Sequence, residues 1–169
     1  MPSIQSIVPC LWFDNKAEEA VKFYTGIFKK SRIVKIALYG KAGYEIHGKP
    51  EGSVMTIAFE LNGQIFTALN TGSAVTFNDA ISLQVYCQTQ DELDYYWETL
   101  SEGGDRTVQQ CGWLKDKYGV SWQIVPASLI DMITDQDSDK SNRVMDAIMQ
   151  MKKININDLK RAYLGKSLH

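Results

Sequence analysis

Few of the features that announce a function at once are present in this sequence of 169 residues. It has three cysteines, Cys10, Cys87 and Cys111, widely separated and with no CxxC pair. That spacing offers no structural zinc site, and an odd number of scattered thiols in strand-like contexts reads as free, buried cysteines in a reducing cytoplasm. No dense Lys/Arg stripe occurs and the formal net charge is -2, which argues against nucleic acid as a partner, because such binding leans on clustered cations. No apolar run approaches the length of a membrane span. Residues 1–5 lack the basic region and long apolar stretch of a secretory signal. There are two histidines. His47 sits in a glycine-containing loop with no sequence partner and reads as a solvated loop residue, not a general base; His169 is terminal.

What is there is enough for a core. The chain is 44% hydrophobic and 22% charged, and its length fits one domain or two small fused halves. Residues 111–126, CGWLKDKYGVSWQIVP, organise the rest. They read as two short strands joined by a turn at Asp116-Lys117-Tyr118-Gly119, with Gly119 supplying the turn dihedral and Pro126 stopping the ladder. The same device occurs earlier, where Asn62-Gly63 between two apolar runs is a strong hairpin signal.

Each hairpin ends a similar series. Residues 4–13 are apolar and β-prone, and Asp14-Asn15 is expected to cap a helix whose buried face carries Ala17, Ala20, Val21, Tyr24 and Phe28. A strand at 31–39, a long loop at 40–52, and strands at 53–61 and 64–70 follow. The pattern restarts with a strand at 80–87. Thr89 and Glu92 then form a capping box for a helix through Leu93, Tyr96, Trp97 and Leu100, which Gly103-Gly104 terminates. One or two strands at 105–115 precede the last. The order β-α-β-β-β, twice, predicts an internal repeat. Beyond Pro126 the chain turns helical, at 127–133, at 141–151, and in a last helix capped by Asn155 or Asn157. The expected parts are a first module at 1–72, a second at 73–126 and a helical extension at 127–169.

This repeat resembles the vicinal oxygen chelate, or glyoxalase/bleomycin-resistance, superfamily. Val8-Pro9-Cys10-Leu11-Trp12-Phe13, Ala17-Glu18-Glu19-Ala20 with Phe23-Tyr24, Gly63-Gln64, Ala80-Ile81-Ser82-Leu83, and Cys111 to Asp116 with Trp122-Gln123 are similar to its PhnB-like branch, and the tail with Met151-Lys152-Lys153-Ile154 fits too. That branch carries the label 3-demethylubiquinone-9 3-methyltransferase. The resemblance implies an α+β fold in which two βαβββ modules form curled mixed sheets. It also implies a divalent metal held by His, Glu or Gln from the first and last strands of the modules. Position by position, module one offers Ile7, Val8 or Pro9 and then Thr67; module two offers Ser82 and Gln123, with Gln84 beside them. Transition metals want imidazole, thiolate or carboxylate at several vertices, so no metal ligand is assigned and no cofactor is expected.

The expected ligand contacts are Thr67, Ser82, Gln84, Cys111, Trp113 and Gln123. Ser82 and Gln84 alternate on one strand face, and an inward amide at Gln123 would serve either a ligand or its own backbone. Cys111 reads as a core thiol, since only Lys115 lies near it in sequence. Trp122 alternates with Gln123 and should pack under a helix. Met145, Met149 and Met151 form a docking stripe, against the barrel or a second subunit. The leading expectation is a metal-free small-molecule-binding protein, cytoplasmic and homodimeric. The alternatives are an enzyme of the same fold (a metal-dependent lyase or oxygenase, or the methyltransferase of the label) and an interaction protein whose tail docks a partner. In the last case, deletion of everything after Pro126 should leave the barrel folded.

Overall fold

Alternating apolar residues set the first sheet. In the computed structural model, which describes residues 7–71 and 75–166, the chain divides into two units, Met1–Thr76 and Phe77–His169. The first holds β1 (Cys10–Phe13), α1 (Ala17–Ile27), β2 (Ser31–Leu38), the short α2 (Tyr44–His47), β3 (Val54–Leu61) and β4 (Gln64–Asn70). The sheet order is β1-β4-β3-β2, with β1 and β4 parallel and the other pairs antiparallel. Asn62 and Gly63 both take positive φ at the β3–β4 turn, as the two-residue hairpin requires. Cross-strand partners share a face, so Phe59 opposite Phe66 and Ile57 opposite Ala68 form one buried row. Ala17, Ala20, Val21, Tyr24 and Ile27 of α1 are buried too, and the Tyr24 ring stacks on Phe59 at 6.4 Å between centroids.

Three expectations fail in this unit, the first being the loop at 40–52, which holds the helix α2. The strand expected at 4–13 is a strand only from Cys10, and residues 4–6 lie outside those described. The Asp14-Asn15 cap is not formed: Lys16 is the N-cap residue, without a side-chain bond, and Asn15 sits at φ 62. The orphan amide of Ala17 instead donates to Asn70 Oδ1, 2.9 Å away, from the end of β4. Asn70 Nδ2 donates to Glu18 Oε2 at 2.7 Å and to the Val54 carbonyl at 3.1 Å. A buried amide with every hydrogen-bonding group engaged ties helix to sheet, and Asn70→Ala strands those partners. We expect it to lower stability by about 1–3 kcal/mol in urea titration; a loss too small to measure would show that the cap contributes nothing.

The second unit contains β5 (Leu83–Cys87), α3 (Gln90–Ser101), β6 (Trp113–Lys115), β7 (Ser121–Pro126), α4 (Leu129–Ile133), α5 (Ser138–Met149) and α6 (Ile156–Tyr163). Its sheet order is β5-β7-β6, β5 parallel and β6 antiparallel to β7. The capping box appears in part: Glu92 N donates to Thr89 Oγ1 at 3.2 Å, and Glu92 Oε2 accepts from the Gln88 amide at 2.8 Å. The second module is one strand short of the expected repeat. Between α3 and β6 the chain makes a 3-10 helix, Arg106–Val108, and a single bridge from Gln110 to Trp113. Asp105 Oδ1 accepts from the Thr107 amide and hydroxyl at 2.8 and 2.6 Å, and that local bonding competes with strand pairing.

The helices after Pro126 are built into this unit. Of the two caps expected for the last helix, Asn155 is the one used, accepting from the Asp158 amide at 3.1 Å. Asp137 caps α5, which starts at Ser138, three residues before the expected 141. The amides of Cys111 and Gly112 donate to the carbonyls of Met151 and Lys152 at 2.7 and 2.8 Å. Gln90 donates to the Ile154 carbonyl and accepts from the Ile156 amide, and Lys153 pairs with Asp94 at 2.8 Å. The hydrogen bond from Lys153 holds the Asp94 carboxyl below its usual range. Val144, Ile154 and Leu159 are fully buried.

Candidate functional site

The strand β7 presents Ser121, Gln123 and Val125 to one side, since alternate residues share a face. All three line a cavity of about 600 Å³ inside the second unit. Trp113 and Lys115 of β6 and Cys111 just before it complete the sheet side. Leu129 and Ile133 of α4, with Met145, Ile148 and Met149 of α5, supply a wall of aliphatic and thioether groups. A cavity of this size with convergent polar groups on an apolar lining is of the kind that takes a small organic molecule.

The polar groups form two clusters. In the first, Tyr86 donates to Gln84 Oε1 at 2.8 Å, Gln84 Nε2 to Gln123 Oε1 at 3.2 Å, and Gln123 Nε2 to Ser82 Oγ at 2.8 Å. The parallel register that sets Gln84 beside Gln123 makes this chain possible. The second lies at the Ser121 end. Asp79 Oδ1 accepts from Ser121 Oγ at 2.8 Å and pairs with Lys115 Nζ at 3.0 Å. The bond from Lys115, then that from Ser121, holds the Asp79 carboxyl below its usual range.

Of the six residues expected to contact a ligand, Cys111, Trp113 and Gln123 line the cavity. Ser82 and Gln84 reach it through Gln123 alone, and Gln84 is exposed where an inward position was expected. Thr67 lies on β4 of the first unit, between Cys10 and Ala58 in register. Sequence reading missed Asp79 and Ser121, passed over Lys115, and gave the methionine stripe to docking. Met145 and Met149 line the cavity, whereas the Met151 carbonyl anchors Cys111. Trp122 is buried as expected, its indole N–H donating to Asp116 Oδ2 at 2.9 Å.

The thiols divide by position. Cys10 is exposed, against the expectation of burial. Cys87 is buried, and burial pushes its thiol up to about 12, which makes it inert. Cys111 is half-buried at φ 55, its Sγ 3.7 Å from Met149 Sδ. His47 closes the short helix α2, where a solvated loop residue was expected, and is fastened there. Its ring packs on Tyr39 at 4.4 Å, Nδ1 accepts from the Lys49 amide, and Nε2 lies 3.2 Å from the Ala42 carbonyl.

The divalent metal that the resemblance implies does not fit these residues. Both amide atoms of Gln123 are committed to Gln84 and Ser82, and its neighbours add only a neutral amide and a hydroxyl. Among the described residues no three His, Cys, Asp or Glu side chains gather as a metal-binding group. Transition ions need more anionic or imidazole donors than that.

Comparison with known proteins agrees with this architecture. The family model described as 3-demethylubiquinone-9 3-methyltransferase matches residues 5–125, so the helical tail lies outside the match. The PhnB protein of Bacillus cereus is 39% identical, with 72% of this chain covering 98% of that one at a TM-score of 0.61. A protein from Staphylococcus aureus is 33% identical, over 73% of this chain and 96% of that one, at a TM-score of 0.32. PA1353 from Pseudomonas aeruginosa shares the fold at 19% identity and a TM-score of 0.54, over 73% of this chain and 97% of that one. Comparison with curated proteins finds no match. A matching family model over most of the chain, a 39% identical relative and two α+β units with mixed sheets agree: this chain belongs to the PhnB-like, 3-demethylubiquinone-9 3-methyltransferase family of glyoxalase-fold proteins.

Proposed function

We propose that this protein binds a small organic molecule in the cavity of its second unit, without a metal. The observation that carries the reading is the cavity itself, with polar groups gathered toward Ser121 and apolar walls toward Val125 and α5. The donor chemistry around Gln123 supports binding over metal-dependent catalysis. The family description names a methyltransferase, but the connections from strand into the long helices α1 and α3, residues 14–16 and 88–89, hold no glycine, and Gly40 and Gly43 lead only into the four-residue α2. A Gly-rich turn that lets backbone approach a nucleotide-like cofactor has no counterpart there. Titration with decanol and with naphthol should give saturable one-to-one binding, a raised melting temperature and a change in Trp113 emission. Met149→Trp, which fills the cavity, should abolish the response. Binding that survives that substitution would place the ligand elsewhere and end the proposal.

The reading includes a cytoplasmic homodimer. No helix among the described residues is long and apolar enough to cross a membrane. On the edge strand β2, Ile33, Val34, Ile36 and Leu38 are all more than two-fifths exposed. An edge strand with exposed apolar side chains invites pairing with a second copy. Sedimentation equilibrium is expected to give a dimer and Ile36→Lys a monomer; a wild-type monomer at all concentrations would remove this part.

A further inference from the structure

We propose that the Ser121 end of the cavity is a carboxylate seat and that the ligands are amphipathic acids, an inference that rests on the binding role proposed above. The sheet register places the seat. Lys115 and Ser121 are direct partners across β6 and β7, so both donors are fixed on rigid backbone at one spot. Ser121 is buried, and the Lys115 side chain is only about a quarter exposed. Among the described residues that line the cavity, Lys115 is the one cation.

What these donors hold now is one oxygen of a side-chain carboxylate, Oδ1 of Asp79, at 2.8 and 3.0 Å. Asp79 belongs to no strand and its side chain is two-thirds exposed. It occupies the place of an acid head group and can swing into solvent at little cost, because an exposed ion pair is worth little. Asp105, which also feels the charge of Lys115, is tied to Thr107, and the Asp116 carboxylate is bound to Tyr118, Val120 and Trp122. From this seat, Gln123 and Val125 follow at two-residue steps along β7, a run of about 13 Å at strand rise. Polarity falls along it from ion pair to amide to aliphatic carbon. A carboxylate that displaces Asp79 therefore lays its tail toward Val125 and Met149.

Decanoate, decanol and decylamine share one tail and differ in the head, and calorimetric titration of the full chain with each tests the seat. Decanoate should bind about tenfold tighter than decylamine. Lys115→Met should erase that ratio. Asp79→Asn, on an exposed turn that the fold tolerates, should tighten decanoate severalfold relative to decanol, because it removes the internal competitor. If Lys115→Met does not fold, Lys115→Gln serves the same comparison. Decanol binding with no preference for decanoate over decylamine, or a preference that persists without the lysine, overturns the seat and leaves the binding reading intact. Failure of all three to bind overturns both.

Discussion

A chain ending at Pro126 is expected to lose the folded second unit, not merely a docking tail. Val144, Ile154 and Leu159 are fully buried, and burying one such side chain stabilises by about 1.5–3 kcal/mol. Three of them amount to more than about 4 kcal/mol, a large part of the 5–15 kcal/mol that holds a typical domain together. The cut also strips Cys111 and Gly112 of the carbonyls of Met151 and Lys152. Gly112 itself is shaped by this packing: at φ +82 a Cβ would come within 2.9 Å of Ile154 Cδ1. In nitrogen–proton spectra of the truncated chain, the dispersed signals of Leu93, Leu114 and Trp122 should collapse. Ile154→Asp in the full chain should do the same more mildly. Dispersed signals after truncation would restore the separable tail that the interaction reading expected.

Asp116→Ala should be the most costly single change in the hairpin of β6 and β7. The carboxylate is buried, with Oδ1 accepting from the amides of Tyr118 and Val120 at 2.9 and 3.0 Å, and Oδ2 from the Trp122 indole at 2.9 Å. One side chain thus closes the turn that Gly119, at φ 86, makes possible, and fixes the tryptophan below the cavity floor. Removal leaves three donors without their acceptor, two of them buried, a loss of about 3 kcal/mol or more. Asp116→Asn should lie between, since an amide keeps the turn acceptor but can set N–H against the indole N–H. Urea titration followed by Trp122 emission reads both; an alanine variant within about 0.5 kcal/mol of the parent, the scale of an ordinary surface change, would remove Asp116 from this role.

Local signals were legible in the sequence. Asn62-Gly63, Gly119 and the Thr89-to-Gly103 helix were read correctly because each is decided within a few residues by φ, capping and periodicity. The family resemblance rested on such motifs and stands. What escaped was whatever depends on two distant residues meeting. Asn70 caps α1 from 53 positions away, so the nearby Asp14-Asn15 looked like the cap. Lys115 meets Asp79 only through the sheet and a turn. Periodicity showed that α5 has an apolar face with Met145 and Met149, but not that the face roofs a cavity. Asp105 drew residues 106–108 into a 3-10 helix, within the stretch 105–115 expected to supply one or two strands.

The central claim is that the second-unit cavity is a ligand site, and methionine methyl NMR tests it most directly. Six methionines report at once: Met145 and Met149 line the cavity, while Met55 lies on β3 of the first unit. With saturating decanoate or decanol, the methyl signals of Met145 and Met149 should shift strongly while that of Met55 stays. Unmoved Met145 and Met149 signals at saturation would contradict the account.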